Sequence, residues 1–189
     1  MKFNICLMQP AGYIHALGLL EVAEYFLHRL LRLGHHAELV KNRIIHDGIN
    51  IIIGSHVYPD RYIDLPTNTV IFNSEQLPEN STWTSIAYKQ LLEKHYVLDY
   101  SKSNLTCIQH ENKDLIEFYY ESKLNRITHS HPKVWDLIFY GSMNDRRKQI
   151  IDNLIQSGLR VKVLLGIYAK ERDYFISQSR AVLNCVSPI

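Results

Sequence analysis

The run Ile49-Asn50-Ile51-Ile52-Ile53-Gly54 decides the fold class. Its isoleucines are β-branched and fall on both faces of an extended chain, because successive strand residues point to opposite sides. A strand that is apolar on both faces has to be covered on both. That is the situation of a parallel sheet held between helices.

The flanking chain supplies the rest of such a sheet. Upstream, an apolar run over residues 3–8 leads into Gln9-Pro10-Ala11-Gly12 and a helical pattern over residues 14–33. There Leu17, Leu20, Val22, Phe26, Leu27, Leu30 and Leu31 recur at three- and four-residue spacing, and Gly34 is the stop. A short strand is expected at 37–40. Downstream, a turn-rich stretch over 58–68, with Pro59 and Pro66, precedes the strand Thr69-Val70-Ile71-Phe72-Asn73. A helix over 84–94, a strand over 96–98 and a helix start over 101–105 follow. Residues 108–133 carry the weakest pattern. Glu117-Phe118-Tyr119-Tyr120 is a candidate strand, and Ser130-His131-Pro132 breaks any helix and marks a domain boundary.

From Val134 the pattern restarts, with strands over 135–140, 160–165 and 181–184 alternating with helices over 145–157 and 169–177, and with Gly158 as a stop. Strands alternating with helices predict right-handed parallel βαβ units. The expected architecture is α/β with a parallel sheet, in two Rossmann-like domains. One covers residues 1–130; the other, over 134–189, is partial.

Composition narrows the classes. Apolar residues make up 46% and charged residues 21% of the 189-residue chain, which speaks against disorder and against a membrane protein. The formal charge of +2 comes without a concentrated basic stripe, so no nucleic-acid partner is expected. No stretch approaches the roughly 18 apolar residues of a transmembrane span, and the start of the chain is too weakly apolar for a signal peptide. Three scattered cysteines, Cys6, Cys107 and Cys185, fit a reducing compartment, and the expected location is cytoplasmic.

Open parallel sheets bind ligands where loops leave the carboxyl ends of strands. The first such loop holds Gly12 and His15: Gly12 allows close backbone approach or simply makes a turn, and His15 is a candidate base or anion contact, or a packing residue. The loop Asn73-Ser74-Glu75-Gln76 offers a carboxylate and two amides suited to sugar or ribose hydroxyls, or to capping a following segment. Gly54-Ser55-His56 is a weaker signal of the same kind. The loop Gly141-Ser142-Met143-Asn144-Asp145-Arg146-Arg147-Lys148 is the most informative. Backbone N–H groups at a helix start attract phosphate, and cations there oppose the helix dipole unless an anion or solvent accounts for them. Gly166-Ile167-Tyr168 places a ring that either stacks on a nucleobase or joins the core. No HExxH, CxxC pair, GxSxG or DxD signature occurs, and no metal ligand set is expected.

At these residues the chain resembles bacterial glycosyltransferase-like proteins of the two-domain GT-B type. The resemblance rests on Trp135-Asp136-Leu137-Ile138-Phe139-Tyr140-Gly141-Ser142-Met143-Asn144-Asp145-Arg146-Arg147, on Gly166-Ile167-Tyr168, on Asn73-Ser74-Glu75-Gln76-Leu77 and on Leu98-Asp99-Tyr100-Ser101. It implies transfer of a sugar from a nucleotide-diphosphate donor to an unidentified acceptor, with no further cofactor. It assigns Gly12, Gly141, Ser142, Asn144, Arg146, Arg147 and Tyr168 to nucleotide binding, and His15 and Glu75 to the catalytic side.

The chain departs from the family at residues 114–120, where a Pro-Leu-Gly-Tyr turn is usual, and at its end, where relatives continue. The shorter second domain motivates a competing expectation, a non-catalytic binding or scaffold protein of the same fold. Its unpaired strands would then be covered in a homodimer or by a separately encoded partner. A methyltransferase-like nucleotide binder is disfavoured, because the second strand ends in Val40-Lys41-Asn42-Arg43 without an acidic residue.

Overall fold

The computed structural model describes residues 1–57, 64–77, 85–128 and 132–185. The chain divides into two compact units, Met1–Leu124 and Asn125–Ile189. In the larger unit the strands β1 (Lys2–Leu7), β2 (His36–Lys41), β3 (Ile49–Ile53), β4 (Thr69–Asn73), β5 (Tyr96–Asp99) and β6 (Lys113–Leu115) lie in the order β2-β1-β3-β4-β5-β6. Every neighbouring pair is parallel. The order runs outward from β1 in both directions, so the chain reverses its winding between β1 and β3. In open α/β sheets that reversal opens a crevice at the carboxyl ends of the two strands.

Side-chain alternation builds the core. Phe3, Ile5, Leu7, Ile51, Ile53 and Phe72 face α1 (Leu20–Arg32) and meet its Ala23 and Phe26. Cys6, Ile52, Ile71 and Val97 face the other way, against Tyr88, Leu91 and Leu92 of α2 (Ile86–Lys94). The isoleucine run of β3 is therefore shared residue by residue between two apolar layers. Each fully buried isoleucine contributes about 1.5–3 kcal/mol. One polar pair interrupts the layer: Asn4 and Asn50, register partners on β1 and β3, are both fully buried. Asn4 Nδ2 donates to Asn50 Oδ1 at 2.9 Å, and Asn50 Nδ2 donates to the Ile45 carbonyl at 2.8 Å.

Local chemistry sets the element ends. The expected long helix forms as a 3-10 segment, Ile14–Leu19, that runs into α1. It stops as predicted at Gly34, whose φ of 79° allows the His35 N–H to reach the Leu30 carbonyl at 3.1 Å. Ser85 caps α2 and Ser101 caps α3 (Lys102–Thr106), each through its hydroxyl.

Glu117-Phe118-Tyr119-Tyr120, expected as a strand, is not one. The strand in this region is β6, just upstream, and beyond it Phe118 packs onto the larger unit while Tyr119 and Tyr120 stay exposed. Phe118 sits 4.9 Å from the Tyr25 ring and 5.9 Å from Phe72, centroid to centroid. Aromatic packing over α1 has replaced ladder pairing. Glu121 then accepts from Arg32 at 2.7 Å and from the Lys123 N–H at 3.1 Å, contacts that hold its carboxyl below the usual range.

The smaller unit contains β7 (Trp135–Tyr140), α4 (Asp145–Gln156), β8 (Val161–Leu164), α5 (Ala169–Ser177) and β9 (Ser179–Val182), with the strands parallel in the order β8-β7-β9. Ile150 and Ile151 of α4 pack on Phe139, Val161, Val163 and Leu183. The last strand begins two residues earlier than the apolar pattern suggested. As an edge strand it admits Arg180, whose exposed guanidinium lies 3.6 Å from Asp136. Arg160, at 3.1 Å, holds the same carboxyl down at about 2. The turn signals at 58–63, the helix start at Thr84, the boundary signal at Ser130 and His131, and the terminal residues 186–189 lie outside the described residues. Among those described, no helix is long and apolar enough to cross a membrane.

Candidate functional site

Three loops leave the carboxyl ends of β1, β3 and β4 around the β1/β3 reversal. In the first, the Pro10 carbonyl accepts the Tyr13 N–H at 3.0 Å, with Gly12 at φ 77° in the turn's third position, a conformation that favours glycine. The turn delivers Tyr13 and His15 to the start of the 3-10 segment. In the second, Gly54 has φ 81°, and a Cβ there would lie 3.3 Å from Leu19 Cδ1 and 3.5 Å from the Met8 carbonyl oxygen. It is followed by the short 3-10 turn Ser55–Val57, which carries His56. The third is Asn73-Ser74-Glu75.

These loops enclose a cleft of about 310 Å³ lined by Tyr13, His15, Leu19, Gly54, His56, Val57 and Glu75, among others. His56 Nε2 lies 3.2 Å from Glu75 Oε1, and Nδ1 lies 3.4 Å from Ser74 Oγ. Burial pushes the His56 imidazole below its ordinary value, and the Glu75 charge opposes that shift without cancelling it. The ring is thus neutral at neutral pH. Its Nε2–H donates to the carboxylate, which leaves the Nδ1 lone pair facing the Ser74 hydroxyl. A neutral imidazole backed by a carboxylate can accept a proton and have the resulting charge stabilised.

Behind the cleft lies a buried polar network. Asn73 Nδ2 donates to Asp99 Oδ2 at 2.6 Å and to the Glu75 carbonyl at 2.8 Å, and its Oδ1 accepts from the Glu75 N–H at 3.1 Å and the Tyr88 hydroxyl at 2.7 Å. Burial pushes the Tyr88 phenol upward, so it remains a donor. Asn104 Nδ2 donates to the Glu75 carbonyl at 2.8 Å and to Asp99 Oδ1 at 3.1 Å, while its Oδ1 accepts the Leu77 N–H at 3.0 Å.

Of the residues singled out in the sequence, His15 and Glu75 line this one cleft, and Gly12 makes the turn ahead of His15. His56, which came from the weaker loop signal, is the partner of Glu75. No spacing rule links positions so far apart; their shared mark is that each follows an apolar strand. Gly141, Ser142, Asn144, Arg146, Arg147 and Tyr168 belong to the smaller unit, on or beside the loops that follow β7 and β8. Asn144 Oδ1 accepts the Arg147 N–H at 2.9 Å and so caps α4. Arg147 donates to the carbonyls of Ser142 at 2.7 Å and Cys185 at 3.2 Å, tying two loops together, while Arg146 is exposed. Tyr168 is half-buried and stands just before α5. Among the described residues, no group of three or more histidine, cysteine or acidic side chains could hold a metal ion.

No family model and no solved structure matches the chain. The chain is similar to three proteins of Acanthamoeba polyphaga mimivirus. It is 27% identical to uncharacterized protein L138 over 158 residues, covering 71% of this chain and 18% of that protein. It is 26% identical to uncharacterized protein L137 over 145 residues, covering 68% and 19%. With uncharacterized protein L140 it shares 25% identity over 145 residues, covering 74% and 47%. The chain thus spans less than a fifth of the first two relatives and just under half of the third.

Proposed function

We propose that the chain is a glycosyltransferase-like protein of the GT-B kind, in which the cleft of the larger unit receives a hydroxylated acceptor and His56, backed by Glu75, takes its proton. The observation that carries this reading is the contact of 3.2 Å between His56 and Glu75 at the carboxyl edge of a parallel sheet, beside the strand reversal. The acceptor oxygen attacks the anomeric carbon of the donor, its proton passes to the imidazole, and the nucleotide diphosphate leaves with the bonding electrons. Glu75 stabilises the imidazolium that forms. His15, across the same cleft, offers a hydrogen bond to a second hydroxyl. The diphosphate is assigned to the Gly141–Asn144 loop with Arg146, where backbone N–H groups and a cation meet its charge, and Tyr168 is assigned to the base.

Calorimetric titration with a panel of nucleoside diphosphates and their sugars, paired with an assay of diphosphate release, tests the reading. At least one nucleotide should bind more tightly than about 1 mM, and Arg146→Ala should weaken it about tenfold. His56→Gln should leave that binding intact and abolish transfer. Absence of any nucleotide binding would reject the proposal. A second reading, a non-catalytic binding protein of the same fold acting with a partner, is favoured by one observation: Arg147 is committed to the carbonyls of Ser142 and Cys185. That protein would bind a ligand without turnover.

A further inference from the structure

Glu75 stands in a loop with no ladder partner, and its side chain is 38% exposed, so burial alone does not hold its carboxylate against His56. We propose that Asn104, on α3, is the positioning residue that keeps Glu75 in place; the proposal rests on reading His56 and Glu75 as the base of the site.

Asn104 bonds the loop on both sides. It donates to the Glu75 carbonyl and accepts from the Leu77 N–H, so one side chain clips both ends of the Glu75–Leu77 turn onto α3. Asn104 is in turn fixed by Asp99, whose fully buried carboxylate also accepts the Ser101 N–H at 2.7 Å and Asn73 Nδ2. The position needs a group that donates twice and accepts once at this reach. A short primary amide does both; aspartate cannot donate when ionised, and it would face Asp99 with a second negative charge. Asn73 grips the N–H and carbonyl of the same glutamate, but it sits on the strand next to the loop. Leu77 packs on α2, but among the described residues Asn104 is the helix side chain that hydrogen-bonds the loop backbone, and so it sets where the carboxylate lies relative to the ring of His56.

Three groups touch or face that ring, Glu75 and Ser74 from the β4 loop and Tyr88 of α2 with its ring centroid at 6.1 Å, and His15 lines the same cleft. Glu75 is the one whose charge raises the imidazole against the effect of burial. NMR titration of the His56 ring in the full chain therefore reads the position of Glu75 independently of catalysis. Glu75→Gln should move the titration to lower pH. Asn104→Ala should move it in the same direction, and adding Asn104→Ala to Glu75→Gln should change nothing more. An Asn104→Ala titration identical to wild type, beside a shifted Glu75→Gln, overturns the positioning role and leaves the proposed base standing. A Glu75→Gln titration identical to wild type overturns the pair itself and the positioning role with it. The wild-type chain provides a check that needs no variant: the Leu77 amide should exchange slowly with solvent deuterium, and exchange at the rate of an open loop would refute the clip.

Discussion

Asn42 and Gln9 close a reciprocal amide pair beside the crevice: Asn42 Nδ2 donates to the Gln9 carbonyl at 2.7 Å, and Asn42 Oδ1 accepts the Gln9 N–H at 2.8 Å. Asn42 makes this contact at φ 55°, a left-handed conformation that asparagine tolerates better than most residues. It anchors the loop that leads through Gly12 to His15. Asn42→Ala loses both hydrogen bonds and puts at this φ a residue that tolerates the left-handed region less well than asparagine, so it should destabilise the chain by about 2–4 kcal/mol. Asn42→Gly keeps the backbone and should cost about half as much. Urea unfolding of the two variants ranks them, and a larger loss for glycine would contradict the account.

The two glycines of the crevice loops should respond differently to a methyl group. At Gly12 an added Cβ meets nothing within 4 Å, so Gly12→Ala should cost only the conformational penalty of about 1–2 kcal/mol. At Gly54 the same penalty is joined by a tight approach of 3.3 Å to Leu19 Cδ1. Gly54→Ala should therefore be the more destabilising of the two by thermal melting, and it should also weaken ligand binding in the cleft.

Burial lowers the pKa of both His56 and His95 below the ordinary 6.5. Just below pH 6.5 the unfolded chain therefore binds more protons than the folded one, and stability falls as pH drops from there toward the folded values. Above that window the contribution is present in full. The urea midpoint should be lower at pH 5.5 than at pH 7.5, and His56→Gln together with His95→Gln should flatten the difference. The lowered carboxyls, Asp47, Asp136 and Glu121, begin to lose their contributions only below the ordinary carboxyl values, so the histidines act first as pH falls.

Phe118 is 44% exposed, yet its ring lies near three others. Aromatic pairs contribute about 0.5–1.5 kcal/mol each beyond area burial, so Phe118→Ala should destabilise the larger unit by about 1–3 kcal/mol. The Tyr119 amide, which donates to the Tyr25 hydroxyl at 3.2 Å, should exchange faster in that variant. Unchanged exchange would mean that the rings do not hold the segment.

The sheet was legible because its strands carry two-sided apolar runs; the site was only half legible. Ile49–Ile53 and Thr69–Asn73 have the expected bounds, and the glycines at 34 and 158 end helices as read. The exchange of a ladder for ring packing at Phe118 could not be read, because Glu117-Phe118-Tyr119-Tyr120 has the composition of a strand and only the tertiary fold brings Tyr25, Phe26 and Phe72 to the Phe118 ring. Glu75 stood out through its place after a strand. His56 carried the same mark more weakly, because its value depends on which carboxylate the topology brings to it, and strand order is not written in local pattern. Asn42 and Asn104 were invisible for a similar reason: an amide looks like any loop residue until the groups it bridges are known. Asn73 reads in the sequence as an amide for a ligand or a cap, and instead it is buried and spent on Asp99 and Tyr88.

The buried amide pair of Asn4 and Asn50 bears on how β1 finds β3. Both strands are apolar on both faces, so a slip of one or two residues would still bury hydrocarbon against hydrocarbon, and burial discriminates poorly among the alternatives. A slipped pairing would separate the two amides, break the bond from Asn4 Nδ2 to Asn50 Oδ1 and set Asn4 against an isoleucine, at about 1–3 kcal/mol for a buried polar group left unsatisfied. The pair thus acts as an alignment mark, a polar tooth that fits one notch. Replacing both residues with valine would leave the sheet greasy enough to assemble and short of the information that tells it where to stop.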